Sequence, residues 1–112
     1  MDCIFCRIAA GDQPAERVAE TGQVVAFRDL RPQAPTHLLL IPRGHVASAA
    51  ELGEGHAALL GELFGLAARL ARDEGLERGW RLVANVGPDA GQTVHHLHFH
   101  LLGGRAMRWP PG

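Results

Sequence analysis

Apolar and polar positions recur with different periods along this chain, and each period predicts a different element. In residues 2–10, Ile4, Phe5 and Ile8 fall on one side of a short helical turn that Gly11 and Pro14 then break. Residues 17–20 and 24–29 read as two short strands joined through Thr21-Gly22-Gln23. Pro32 and Pro35 make 31–36 an irregular loop, and Leu38-Leu39-Leu40-Ile41 is a continuous apolar run stopped by Pro42, the pattern of a buried central strand. From 54 to 74 the period lengthens. Leu59, Leu60, Leu63, Leu66, Ala67 and Leu70 recur at three- and four-residue steps while Glu62, Arg69, Arg72 and Asp73 fall elsewhere, which predicts one long amphipathic helix. Gly55, Gly61 and Gly65 weaken it by about 1 kcal/mol each relative to Ala, and Gly75 stops it. Residues 80–86 and 95–102 are two further strands that turn through 87–91; the tail, 103–112, has no period. There is no internal repeat and no low-complexity segment. Five short strands around one long and one short helix predict an α+β fold with a five-stranded antiparallel sheet.

Length and charge narrow this picture. The 112 residues make one domain, 1–112, large enough for a core without disulfide staples. Eleven basic against twelve acidic residues leave a formal charge of -1, no electrostatic footprint for nucleic acid or an anionic membrane. No apolar run approaches the ~20 residues of a spanning helix, and no charged-then-apolar signal pattern opens the chain, so the expected location is the cytoplasm. Every basic residue is Arg, which excludes Schiff-base chemistry and a P-loop lysine. The single Ser, Ser48, is in no Gly-x-Ser-x-Gly elbow. Chemistry therefore falls to His, two Cys, the carboxylates and three Thr, and four of the seven His lie within 95–100.

Within that last strand, His96-Leu97-His98-Phe99-His100-Leu101-Leu102 alternates strictly. Residues two apart on a strand share a face at about 6.5 Å spacing, so His96, His98 and His100 line one face and Leu97, Phe99 and Leu101 pack on the core. Side-by-side imidazoles are poor packing groups, because each needs a hydrogen-bond partner once desolvated. Two chemistries fit. Three His can bind a catalytic zinc with an open fourth position. Alternatively a neutral His, held at one ring nitrogen by an acceptor, presents the other as a nucleophile while its neighbours donate to an oxyanion or leaving group. A surface strand with incidental His is the bland alternative. His95 points the other way and reads as a strand-start or interface residue, and His56 as a helix-surface residue.

Cys3 and Cys6 form a Cys-x-x-Cys pair. In a cytosolic protein such a pair suggests metal or redox use before a structural disulfide. A redox pair normally opens a helix after a strand, and no strand precedes this one. Two Cys alone do not close a tetrahedral zinc site. Reduced thiols packed under the sheet are the other reading.

The triad motif resembles the His-φ-His-φ-His-φ-φ signature of the histidine triad superfamily. The resemblance runs through Cys-Ile-Phe-Cys-Arg-Ile at 3–8, Phe27-Arg28-Asp29-Leu30, Ala34-Pro35-Thr36-His37, Ile41-Pro42-Arg43-Gly44-His45, Asn85-Val86-Gly87 and Gly91-Gln92-Thr93-Val94. The tail from Gly103 to Gly112, with Trp109-Pro110-Pro111, is similar to that of the nucleotide-binding (Hint) branch, in its bacterial form with the N-terminal Cys pair.

That resemblance implies a purine nucleoside phosphoramidase. Adenosine or guanosine 5′-phosphoramidates and aminoacyl-adenylate-like anhydrides would be cleaved to the nucleoside monophosphate through a nucleotidyl-histidine. The residue equivalent to the nucleophile is His98. His96 would orient it through its backbone carbonyl, His100 would contact the α-phosphate, and His37 would border the triad. Gln92 and Thr93 would bond the phosphate and bridging atom, with Thr93 standing where Ser is common. Asn85 would make a phosphate-side or ribose-side contact, and Asp29 would accept from both ribose hydroxyls. Taken alone, Asn85 and Asp29 equally suit turns, and His37 a satisfied buried His. Ile4, Phe5, Ile8, Phe27 and Leu30 would form the apolar slot for the base, which predicts weak discrimination between adenine and guanine. No cofactor is required for catalysis. A structural zinc on Cys3, Cys6, His45 and His96 is implied. So is a homodimer whose sheets pair across a two-fold, with Trp109 reaching the partner's active site; a Trp109 that caps its own subunit is the alternative. Two competing readings remain: a nucleotide-binding interaction protein, and a dinucleoside polyphosphate hydrolase.

Overall fold

The computed structural model describes residues 2–112. A short helix, α1 (Ile4–Ala10), leads into a hairpin of β1 (Arg17–Glu20) and β2 (Val24–Arg28). Then come β3 (Thr36–Pro42), the long helix α2 (Ala57–Asp73), β4 (Trp80–Val83) and β5 (Phe99–Gly103). The strands form one five-stranded antiparallel sheet, as the hydrophobic periods predict, and their order is β1-β2-β3-β5-β4.

Strand alternation divides the core into two layers. Val24, Ala26, Leu38, Leu40, Phe99 and Leu101 meet Leu59, Leu63, Leu66, Ala67 and Leu70 of α2 on one face. Val25, Phe27, Leu39 and Ile41 meet Cys3, Phe5, Ile8 and Ala9 on the other. The predicted apolar faces of α2 and of the histidine segment are buried, and so are His96 and His98.

Cys3 is the N-cap of α1: its backbone is extended and its Sγ accepts from the Cys6 N–H at 3.4 Å. Gly11 ends the helix at φ 86°, where a side chain would be strained. The last strand makes room for the chain after α2 at Gly103, where an added Cβ would lie 2.6 Å from Leu76 Cδ1.

Three boundaries differ from the periods by three residues or more. The first turn of the predicted 54–74 helix is a separate 3-10 turn, Glu54–His56, and His56 Nδ1 accepts from the Gly53 N–H at 3.0 Å there. β4 ends at Val83 rather than 86. The ladder of β5 starts at Phe99, so His98 precedes it, and His96 lies in a bend before that rather than on the strand face where the alternation puts it. The cause is Pro42, which has no N–H to continue β3's bonding past Leu40. That stretch is held instead by Leu97 N–H to Val46 O at 2.6 Å and by the His96 ring on the Pro42 carbonyl at 2.9 Å.

Candidate active site

β3 and β5 place His37 and His100 on the same sheet face, as diagonal neighbours: Leu39 pairs with His100, and His37 with Leu102. His37 Nε2 lies 2.9 Å from His100 Nδ1. The Gln33 N–H donates to His37 Nδ1 at 3.0 Å, so that nitrogen carries the lone pair and the ring proton sits on Nε2. His37 Nε2–H therefore donates to His100 Nδ1, which leaves His100 with its proton on Nε2. Burial lowers the pKa of His37. Burial, with repulsion from His98 and His37, pushes that of His100 down to about 4. Both rings are neutral at pH 7, and the proton order along this chain is fixed.

His98 Nδ1–H donates to the His96 carbonyl at 2.7 Å, leaving the lone pair on Nε2. Among the described residues no buried side-chain nitrogen or oxygen lacks a partner, so the unbonded Nε2 lies at the open surface of the site. The His98 and His100 rings are 5.1 Å apart. A free imidazole lone pair thus stands beside an imidazole N–H donor.

Phe5 of α1 sets its ring edge-on to His98, with centroids 5.1 Å apart. It also belongs to a mostly apolar cleft of about 270 Å³ whose walls include Ile4, Ile8, Phe27 and Leu39. The five residues that the resemblance implies for the base therefore line one cavity, which Phe5 sets beside His98. Leu30 belongs to it only at the mouth, being 96% exposed, and Ile4 is 42% exposed. Asp29 borders the cleft and does make the turn bond: Oδ1 accepts from the Arg31 N–H at 2.8 Å. Its Oδ2 lies 3.5 Å from His37 Nε2.

Gln13 and Arg31 also line this cleft and escaped the sequence reading. Neither lies in a periodic element; the fold brings them there by turning the chain after α1 and after Asp29.

On the other side of the triad, Thr93 is exposed and Asn85 is half-buried just beyond β4. Gln92 is buried and bonded to backbone throughout. Its Nε2 donates to Ala47 O at 2.9 Å and Val94 O at 3.2 Å, and its Oε1 accepts from the Gly87 N–H at 3.0 Å. It holds the loop that carries Thr93 rather than presenting a free donor. Within one chain Trp109 lies away from the cleft, 84% exposed, among Arg81, Val83, Leu102 and the tail. His95 is exposed.

The four predicted metal ligands converge. Cys3 Sγ, Cys6 Sγ, His45 Nδ1 and His96 Nδ1 all lie within 4.8 Å of one another. His96 Nδ1 is 3.4 Å from each sulfur, and His45 Nδ1 is 3.3 Å from Cys6 Sγ. Tetrahedral zinc, with bonds of about 2.3 Å to sulfur and 2.0 Å to nitrogen, holds its ligand atoms roughly 3.3–3.8 Å apart. The donor chemistry fits as well. His96, wholly buried, directs Nε2–H to the Pro42 carbonyl, which leaves Nδ1 as the ligating lone pair. Burial and the neighbouring Cys3 push the Cys6 thiol pKa up, a cost that a divalent cation between the sulfurs would remove. The residues fit a structural zinc.

Comparison with known proteins agrees with this geometry. The sequence profile of the HIT domain matches residues 10–107. The crystal structure of a HIT family hydrolase from Legionella pneumophila Philadelphia 1 is 52% identical, with a TM-score of 0.97 over 99% of this chain and 100% of that one. A 14 kDa zinc-binding protein of Zea mays is 48% identical over 111 residues, 97% of this chain and 87% of its own length. The adenylylsulfatase HINT1 of Arabidopsis thaliana is 45% identical over 111 residues, 97% of this chain and 76% of its own length.

Proposed function

Because this chain belongs to the HIT domain family, we propose that it is a hydrolase of purine nucleoside 5′-phosphoramidates that works through a nucleotidyl-His98 intermediate. The observation that carries this reading is the 2.7 Å bond from His98 Nδ1–H to the His96 carbonyl, which leaves the free lone pair on Nε2 of a ring that packs against Phe5, a wall of the cleft.

In the first step His98 Nε2 donates its lone pair to the α-phosphorus while the P–N bond breaks. The amine departs with the electron pair of the broken P–N bond and takes a proton from solvent. Water then attacks the phosphorus and loses a proton, the P–Nε2 bond breaks, and the nucleoside monophosphate leaves. His100 Nε2–H donates to a non-bridging phosphoryl oxygen as charge grows there. His37 keeps that donor in place. The base lies in the apolar slot, Asp29 accepts from the ribose hydroxyls, and Asn85 and Thr93 face the phosphate side, on the loop braced by Gln92.

The Arabidopsis relative's name favours a second leaving group, the sulfate of adenylyl sulfate, on the same phosphorus. Turnover of adenosine 5′-phosphoramidate, adenylyl sulfate and diadenosine polyphosphate by one preparation separates these readings. The phosphoramidate is expected to give the highest kcat/KM. A clear preference for the polyphosphate contradicts the proposal, and AMP binding with no turnover of any of them leaves only an interaction protein.

Zinc at Cys3, Cys6, His45 and His96 would cross-link α1 to the chain beneath it; the name of the maize relative supports this assignment. The reaction needs no cofactor. The working unit in this reading is a cytoplasmic homodimer of single-domain chains paired sheet to sheet, with Trp109 of each subunit near the other's site. The free Cys3 and Cys6 thiols and the exposed Trp109 are consistent with it. Among the described residues no helix is long and apolar enough to cross a membrane.

A further inference from the structure

The ends of α1 are held by different means. At its C-terminal end, the Arg17 guanidinium donates to the Ile8 and Ala9 carbonyls, and Arg43 donates to Ala9 O at 3.4 Å. At its N-terminal end, Cys3 and Cys6 meet His96 and His45 through sulfur–nitrogen contacts of 3.3–3.4 Å. Thiols are weak hydrogen-bond donors, so without a metal this end is poorly fastened. A seven-residue helix has no stability of its own to compensate. Ile4, Phe5 and Ile8 of this helix wall the cleft, and Phe5 lies between the two cysteines in sequence.

We propose that the Cys3–Cys6–His45–His96 cluster, loaded with a divalent metal, positions α1 as the wall of the base slot and so sets nucleotide affinity. The inference rests on reading the cleft as that slot. It makes Cys3, Cys6 and His45 positioning residues, acting through Phe5 and its neighbours. The Phe5 ring bridges the cluster and the site, 6.0 Å from the His96 ring and 5.1 Å from the His98 ring. When the ligands part, the wall moves.

The tether of His98 is of another kind. It runs to the main-chain carbonyl of His96, and the His96 ring bonds Pro42 O through Nε2, the nitrogen turned away from the cluster. Metal loss should therefore raise the nucleotide Kd and KM while kcat changes little. A metal that merely stabilised the whole fold would shift neither constant in protein that remains folded.

The test compares zinc-loaded protein, the same protein stripped by chelator, and the stripped protein after zinc is restored. Each is titrated with AMP by calorimetry at a temperature where far-UV circular dichroism shows the stripped form folded. The Kd is expected to rise on stripping by about tenfold, within the roughly 5- to 150-fold range of ordinary coupling between sites, and to return with zinc. Hydrogen exchange should speed up at the α1 amides and stay unchanged in α2. His45→Ala should behave as stripped protein, whereas His45→Cys, which restores a fourth ligand, should behave as loaded protein. His45 is exposed, so neither change disturbs the core. An AMP Kd that is the same loaded and stripped overturns the proposal. Global unfolding on stripping also overturns it, because the metal would then serve the whole fold. If loaded protein binds no AMP at all, the nucleotide-hydrolase reading fails together with this one; an affinity indifferent to metal removes this one alone.

Discussion

His37 and His100 sit on adjacent strands with Nε2 and Nδ1 2.9 Å apart, and the direction of the proton between them is set by the backbone of Gln33. Removing the His37 ring would leave His100 Nδ1 without its donor and free to take either tautomer. His37→Ala is expected to lower kcat by about 10- to 100-fold, within the usual range for a supporting hydrogen bond, and to cost about 1–3 kcal/mol of stability for the unpaired buried groups. Steady-state kinetics with a urea titration of the same variant checks both. An unchanged kcat means that His37 has no hold on the donor.

The same pair sets a pH dependence of stability. His37 and His100 stay neutral in the folded state, their pKa values lowered chiefly by burial, that of His100 to about 4. In the unfolded chain they protonate near pH 6.5. Between about pH 6.5 and 4 the unfolded chain binds more protons, so stability falls as the pH drops through that window. Above it these groups impose no slope. Urea midpoints at pH 7.5 and pH 5 should show the lower value at pH 5, and a higher one there contradicts the assignment.

Asp29 offers a separable test of the ribose contact. Asp29→Ala is expected to weaken AMP binding by about 10- to 100-fold, the scale of a lost charged hydrogen bond. The loss should shrink for 2′,3′-dideoxy-AMP, which has no hydroxyls to donate. Equal losses for the two nucleotides would reduce Asp29 to its turn bond with Arg31.

Arg28 joins β2 to the end of α2 through two contacts with Glu74, at 2.9 and 3.1 Å. The Arg28 side chain is 36% exposed, so water screens the pair. Glu74→Gln should therefore cost about 1 kcal/mol or less. A small drop in thermal midpoint, with kinetics unchanged, is the expected result.

The legible parts of this protein are those with a local signal. The three- and four-residue steps of Leu59 to Leu70 and the unbroken run of Leu38 to Ile41 mark α2 and β3 directly, because burial of one face or of both requires those patterns. The Cys-x-x-Cys spacing and the alternating His likewise point to chemistry before any coordinates. The proton order through Gln33, His37 and His100 was not legible, since it depends on the register of β3 against β5. Nor were Gln13 and Arg31 at the cleft, which the fold delivers from loops. Extending the last strand back to 95 overlooked what Pro42 does to its neighbour. Gln92 carries a motif-like signal, yet its amide is bonded to loop backbone, a commitment that only three-dimensional contacts reveal.

The central claim is that His98 Nε2 attacks phosphorus, and the most direct measurement is turnover of an adenosine 5′-phosphoramidate carrying a fluorogenic amine by wild type and His98→Ala. The account predicts a fall in kcat of at least about a thousandfold, the scale for loss of a catalytic nucleophile, with the fold and AMP binding retained. Equal rates for the two proteins would contradict it.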